Sequence, residues 1–276
     1  MKIIANSILL LLSTVTIYGQ TGKYPIPPVM THEMTEFWTP QPDVVRPGKT
    51  GKNGAILPPS DAVVLFDGQD LSQWEKAPDK SVLVKGKDMS KFKSSENTNA
   101  QWIVKDGMLT VNKQAGDIQT KQLFGDFQLH IEWRIPEGIQ GESQLRGNSG
   151  VFLQGIYEVQ ILDSYNSETY ANGQAGSIYK QTAPLVNAMN PPGEWNIYDI
   201  IYTAPTFKPD GTYRTYPTVT ILHNGILVQH HTRIMGTTPY IGLPQVVEHG
   251  KGPIRLQAHA DESAPISFRN IWIREW

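Results

Sequence analysis

The sequence predicts an all-β fold, two antiparallel sheets packed face to face as a sandwich or jelly roll. Three observations predict it. From Val63 onward the chain is a succession of short apolar-alternating runs, tight-turn dipeptides (Asp106-Gly107, Asn224-Gly225) separate neighbouring runs, and helical periodicity is nearly absent. Side chains alternate faces along a strand, so period-two hydrophobicity marks a half-buried strand. Asp-Gly and Asn-Gly supply the positive-φ positions that tight hairpins require. Many strands joined by such turns can bury their apolar faces only against a second sheet.

Taken in order, the first expected strands are Val63–Phe66, Trp102–Val104, Met108–Val111 and Phe127–Ile135. The turn Lys105-Asp106-Gly107 joins the second to the third, and one helical turn is expected near Asp70-Leu71-Ser72-Gln73-Trp74. Gly150–Leu153 and Tyr157–Leu162 meet at a glycine-containing turn and read as a hairpin. Trp195–Tyr202, Thr218–His223 and Ile226–His231 follow, with His223-Asn224-Gly225 closing the last pair. Ile254–His259 and Ser267–Ile273 complete the sheets.

Ahead of this domain, Met1-Lys2, an apolar run over Ile8–Leu12 and a small-residue exit near Gly19-Gln20 make residues 1–20 an expected secretory signal. The apolar run is too short to span a membrane, and no later segment qualifies. Residues 21–60 hold Pro25, Pro27, Pro28, Pro40, Pro42, Pro47, Pro58 and Pro59 without sustained periodicity. They read as an extended proline-rich arm that lies across the domain through Phe37 and Trp38. The domain itself is expected over residues 61–276.

With 24 Lys+Arg against 26 Asp+Glu, the net charge is −2 and no basic block suited to nucleic acid is present. Cysteine is absent, which excludes a disulfide framework and a lipidated cysteine. Together with the leader, this predicts a periplasmic or secreted protein. Its 7 Trp and 11 Tyr suit a carbohydrate partner, because a flat ring covers the apolar face of a pyranose; filling β cores is the other use of such residues. The sequence leaves the oligomeric state open.

The most informative stretch is Asn148–Asp163, NSGVFLQGIYEVQILD. On its second strand Glu158 and Gln160 share one face while Tyr157, Val159 and Ile161 take the other and form core. A bulge after Gln160 would bring Asp163 onto the polar face too. A mid-sheet row of carboxylate, amide and carboxylate fits the floor of a sugar cleft; an ordinary wet face is the plainer alternative. His259 is placed beside Gln257 and Arg255 on one face of the strand Ile254–His259, and imidazole is the side chain best suited to proton transfer near neutrality.

From residue 63 to the end a set of phrases runs in order. They begin with Leu65-Phe66-Asp67-Gly68, Leu71-Ser72-Gln73-Trp74, Trp102-Ile103-Val104-Lys105-Asp106-Gly107 and Ile118-Gln119-Thr120-Lys121. Phe124-Gly125-Asp126-Phe127-Gln128-Leu129, Glu132-Trp133-Arg134, Asn148-Ser149-Gly150-Val151-Phe152 and Tyr157–Asp163 follow. The last are Pro192-Gly193-Glu194-Trp195-Asn196, His223-Asn224-Gly225, Leu256-Gln257-Ala258-His259 and Phe268-Arg269-Asn270-Ile271. In these phrases the chain resembles the 3-keto-disaccharide hydrolase domain family of secreted bacterial proteins. The resemblance implies a concanavalin A-like jelly roll, related to laminarinase-type glucanases, that acts on glycosides already oxidised at C3.

A C3 ketone acidifies the C2 proton, so a base, an acid near the leaving oxygen and an electrophile at O3 suffice for elimination followed by hydration. The expected catalytic residues are Glu158, His259 and Arg134, with Lys121, Glu132, Asn148, Gln160, Asp163 and Gln257 contacting substrate. Lys121, Arg134 or a divalent cation held mainly by oxygen ligands would steady the enolate. No other cofactor is expected. Two alternatives stay open. Glu158 and Asp163 have the spacing of a retaining-glucanase motif, whose carboxylates stand about 5 Å apart, or the domain binds sugar without turning it over.

Overall fold

The computed structural model describes residues 29–44, 58–78 and 99–276. The expected signal segment and the remainder of the proline-rich arm lie outside the described residues. The strands, in chain order, are β1 Asp43–Val44, β2 Val63–Phe66, β3 Trp74–Lys76, β4 Ile103–Lys105, β5 Met108–Thr110, β6 Ile118–Thr120 and β7 Phe127–Arg134. They continue with β8 Ser149–Leu153, β9 Tyr157–Ile161, β10 Val186–Asn187, β11 Trp195–Thr203, β12 Thr206–Phe207 and β13 Tyr213–Thr215. The last four are β14 Thr218–His223, β15 Ile226–Arg233, β16 Arg255–Leu256 and β17 Ser267–Glu275. Apart from these, the described residues contain three short 3-10 turns, His32–Thr35, Ser143–Leu145 and Ala171–Gly173. No helix among them is long and apolar enough to cross a membrane.

Two antiparallel sheets form the body. The eight-stranded sheet runs β15-β14-β11-β7-β17-β5-β4, with β2 also paired to β17, and the five-stranded sheet runs β3-β6-β16-β8-β9. Alternation does the sorting. Phe127, Leu129, Ile131 and Trp133 of β7 point into one core with Val151 and Leu153 of β8 and Tyr157, Val159 and Ile161 of β9. Each such side chain withdrawn from water contributes about 1.5–3 kcal/mol. The expected hairpin turns are present: Asp106 and Gly107 take φ of 52° and 73°, Asn224 and Gly225 take 54° and 78°.

The β8–β9 hairpin is held from the opposite sheet by two buried tyrosines of β11. Tyr198 donates to the Gln160 carbonyl at 2.8 Å, and Tyr202 donates to Gln154 Oε1 in the hairpin turn, also at 2.8 Å. The polar face of the hairpin is thereby fixed relative to the core, not merely hung on its edge.

Several expectations need correction. Asp70–Trp74 is not a helical turn: Asp70 Oδ1 accepts the Ser72 amide at 2.8 Å, and Trp74 already opens β3. Strands β3, β6, β12 and β13 carry too few alternating residues to stand out in sequence. No bulge follows Gln160, because register is continuous from Leu153↔Tyr157 to Ser149↔Ile161. The strand expected over 254–259 is confined to Arg255–Leu256; Gln257 keeps one further bond, its amide to the Gly150 carbonyl at 3.0 Å, before the chain turns away. The described part of the arm meets the domain at Phe37 and Trp38. The Phe37 amide donates to Asn172 Oδ1 at 3.1 Å, and Trp38 packs edge-on to Tyr170 at 5.8 Å.

Candidate active site

Pairing in the five-stranded sheet decides which side chains share its outer face. Glu158 stands opposite Phe152 and Gln160 opposite Gly150, so these four point away from the core together. Gln257, bonded to Gly150 through its backbone, extends the row, and His259 follows as the chain leaves the sheet. Asn148 enters from the residue before β8. Above this floor lies a cavity of about 490 Å³ whose far wall is the segment 237–247 between β15 and β16.

Glu158 is only 5% exposed, yet it lines the cavity. Its carboxylate lies over Gly150, where a Cβ would collide with it. The amide of Gln160 sits between Gln144 Oε1 at 3.0 Å and Glu158 Oε1 at 3.3 Å. Turned with its nitrogen toward the carboxylate, it donates to Glu158 and to the Ser149 carbonyl at 3.1 Å. Asn148 Nδ2 donates to the Gln144 carbonyl at 2.8 Å. Gln257 Oε1 is buried without a hydrogen-bond partner, a costly state for an amide unless a ligand completes it.

His259 Nδ1 lies 2.8 Å from Asp261 Oδ2. Asp261 also accepts from Lys113 Nζ at 2.9 Å and from the Ser263 amide at 2.8 Å. Burial opposes ionisation of Asp261, but the hydrogen bonds from His259, Ser263 and Lys113 outweigh it and hold the carboxyl well below the usual range. A carboxylate on Nδ1 fixes the ring and leaves Nε2 for proton transfer. Chemically the cavity offers one carboxylate, one oriented imidazole and four amides, Asn148, Gln160, Gln245 and Gln257. Among the described residues no group of three His, Cys, Asp or Glu side chains is placed to hold a metal ion.

Five of the nine residues expected from sequence therefore meet: Asn148, Glu158, Gln160, Gln257 and His259 all line the cavity. The other four do not line it. Asp163 is fully buried in an ion pair with Arg146 Nε at 2.7 Å, and burial pushes its carboxyl up. With no bulge to carry it, it lies two positions beyond the end of β9 and outside the cavity lining. Lys121 is exposed and donates to the Ser72 carbonyl at 2.7 Å, the solvated edge charge that its position permits. Glu132 and Arg134 alternate with the core residues of β7 but belong to the other sheet, so they face its outer side. There Glu132 accepts from Arg269 Nε at 2.6 Å, and Arg134 lies over the Trp195 ring at 4.8 Å.

Sequence reasoning missed Asp261, Tyr179 and the far wall. Asp261 stood two residues after His259 and was legible as its partner. Tyr179 and residues 237–247 belong to segments without periodicity, and only the tertiary fold brings them over β9.

A family model described as a 3-keto-alpha-glucoside-1,2-lyase-like domain matches residues 61–274. The chain is 62% identical to a candidate glycosyl hydrolase of Parabacteroides distasonis, with a TM-score of 0.74 to its crystal structure over 89% of this chain and 97% of that one. A second candidate glycosyl hydrolase of the same species shares the fold at 19% identity, with a TM-score of 0.50 over 80% of this chain and 99% of that one. The 3-keto-disaccharide hydrolase of Bacteroides thetaiotaomicron is 26% identical over 181 residues, which is 54% of this chain and 56% of that protein. The match thus spans little more than half the length of that relative.

Proposed function

The chain belongs to the 3-keto-alpha-glucoside-1,2-lyase-like domain family, and from that premise we propose that it cleaves 3-keto-glycosides by elimination and hydration, with Glu158 and His259 as the proton-transfer pair. The observation that carries this reading is a nearly buried carboxylate and an Asp261-oriented imidazole on one cavity. One member of the pair takes the C2 proton. The C2 electrons form the enolate with O3, then expel the C1 oxygen as the enolate collapses, and the aglycone leaves as an alcohol with a proton from the acid. Water adds at C1 of the resulting enone and a proton returns to C2, so the sum is glycoside plus water to 3-keto sugar plus alcohol. Proton transfer of this kind contributes typically 10²–10⁴-fold each.

With Lys121 and Arg134 away from the cavity, the amides of Gln257 and Asn148 are the groups best placed to donate to the developing charge at O3. The engagement of Asp163 with Arg146, outside the cavity lining, favours this reading over direct two-carboxylate hydrolysis. Export belongs to the same proposal and rests on the leader pattern of residues 1–20; N-terminal sequencing of protein from its native host that found Met1 intact would refute it.

The test is mass analysis of products from a 3-keto-glycoside and its unoxidised parent. Wild type should cleave only the former, and Glu158→Gln or His259→Ala should lower turnover by roughly a hundredfold or more while the protein stays folded. Unchanged turnover in both variants would leave a different chemistry, and binding without any turnover in wild type would leave a sugar-binding module.

A further inference from the structure

Taking the cavity as the glycoside site of the proposal above, we infer that its end at the β8–β9 turn is an aglycone subsite for a neutral, flat apolar group, an aryl or comparable aglycone, and not for a second sugar. Strand register gives the cavity its long axis. On β9 the cavity-facing positions run from Gln160 to Glu158 and on to Ile156 in the turn, and on β8 they run from Gly150 to Phe152. Asn148 and Gln257 flank the Gln160 end, so the amides gather there. Glu158 lies midway, and the turn end is apolar.

The far wall is fastened to that apolar end. Thr238 Oγ1 accepts the Glu158 amide at 3.2 Å and donates to the Ile156 carbonyl at 3.4 Å. On this wall Ile241 and Leu243 are 50% and 62% exposed, and Tyr240, whose ring stacks on His32 at 5.0 Å and meets Lys180 Nζ at 4.5 Å, is still 53% exposed. The segment is held in that state. Lys180 Nζ donates to the Tyr240 carbonyl at 2.6 Å, and Gln181 Nε2 donates to the Gly236 and Thr237 carbonyls at 3.0 and 3.1 Å. Exposed apolar surface kept in place beside a cavity marks a binding surface more than chance exposure does.

The two threonine hydroxyls of the wall and the Gln245 Nε2 are already engaged, which leaves the Tyr240 hydroxyl. Thr238 is tied to the hairpin, Thr237 Oγ1 accepts the Gln245 amide at 3.0 Å, and Gln245 Nε2 donates to the Leu243 carbonyl at 3.2 Å. Hydroxyls of a second sugar would meet few partners there beyond the Tyr240 hydroxyl and would lose their water. No lysine or arginine is among the described residues lining the cavity, and Glu158 repels a negative aglycone. What remains is a neutral apolar group.

The experiment is titration calorimetry of phenyl and methyl glucosides of each anomer, with the corresponding glucosyl disaccharides. Unoxidised ligands are titrated into wild type and 3-keto ligands into Glu158→Gln. In the oxidation state that binds, the phenyl glycoside should bind at least tenfold tighter than the methyl glycoside and the disaccharide of the same anomer. Leu243→Asn, a change at an exposed position, should erase most of that advantage and alter methyl glycoside affinity less than twofold. Equal affinities, a tighter disaccharide, or no binding of either phenyl glycoside would overturn the inference. An aryl preference without turnover of 3-keto-glycosides would refute the reaction alone; turnover without an aryl preference would refute the subsite alone.

Discussion

Glu158 occupies the space above Gly150, where a methyl group would collide with its carboxylate. The pair faces each other diagonally across the β8–β9 hairpin, and a residue with any side chain at 150 would push the carboxylate out of its place. Gly150→Ala should therefore leave the domain folded and lower turnover by roughly a hundredfold, since displacing a catalytic group by about 1 Å has that scale of effect. A melting curve together with steady-state kinetics checks it. A variant as active as wild type would show that the position of Glu158 does not matter.

Asp261 is placed to act through His259 and not on substrate. Asp261→Asn should lower kcat at least tenfold with little change in KM. The decisive reading is the double variant. If Asp261 works by orienting the ring, Asp261→Asn adds nothing once His259 is alanine, whereas independent roles would multiply. Melting curves of all three variants separate this from loss of the Lys113 and Ser263 contacts.

Asp163 gives the opposite pattern. Its carboxyl is buried and paired with Arg146 at 2.7 Å. Asp163→Ala leaves the partly exposed Arg146 and the Tyr165 amide without their acceptor and should cost about 1–3 kcal/mol in a chemical denaturation curve. Below its melting temperature the folded variant should keep near-normal kcat. A folded Asp163→Ala protein with no activity would return this residue to the catalytic group and revive the two-carboxylate reading.

His223 reports on pH. It is fully buried, its Nε2 lies 3.0 Å from Asn196 Oδ1, and burial drives the ring down to about 3. An unfolded histidine titrates near 6.5, so the unfolded chain takes up a proton that the folded one refuses. The stability this confers is complete above about pH 6.5 and is lost as pH falls toward 3, by up to about 1.4 kcal/mol per unit. Denaturation curves at pH 7 and pH 5 should differ by less in His223→Gln than in wild type. Equal differences would place the acid sensitivity elsewhere.

Where a property depends on local alternation, the sequence revealed it. Glu158 and Gln160 out, Val159 and Ile161 in, and the hairpin turns at Asp106-Gly107 and Asn224-Gly225 all follow from side-chain periodicity and glycine geometry. What alternation cannot say is which sheet a strand joins. Glu132 and Arg134 had the right pattern, but β7 belongs to the eight-stranded sheet, so the same pattern points them at the opposite side of the molecule. Asp163 failed for want of a bulge, which depends on register with β8 and leaves no mark in β9 itself. The apolar wall at residues 237–247 was invisible because its conformation is set by distant partners, Lys180 and Gln181.

The most direct test of the elimination pathway is to run the reaction in deuterium oxide and read the released 3-keto sugar by NMR. C2 and C4 both flank the ketone, so passive exchange labels both and C4 serves as the internal reference. With His259 as the base at C2 and Glu158 as the acid at the leaving oxygen, the abstracted proton rests on a side chain that is 31% exposed and exchanges with solvent before it can return. Elimination predicts deuterium at C2 well above the level at C4 from the first turnovers. Product that carries protium at C2, with no excess over C4, would contradict it.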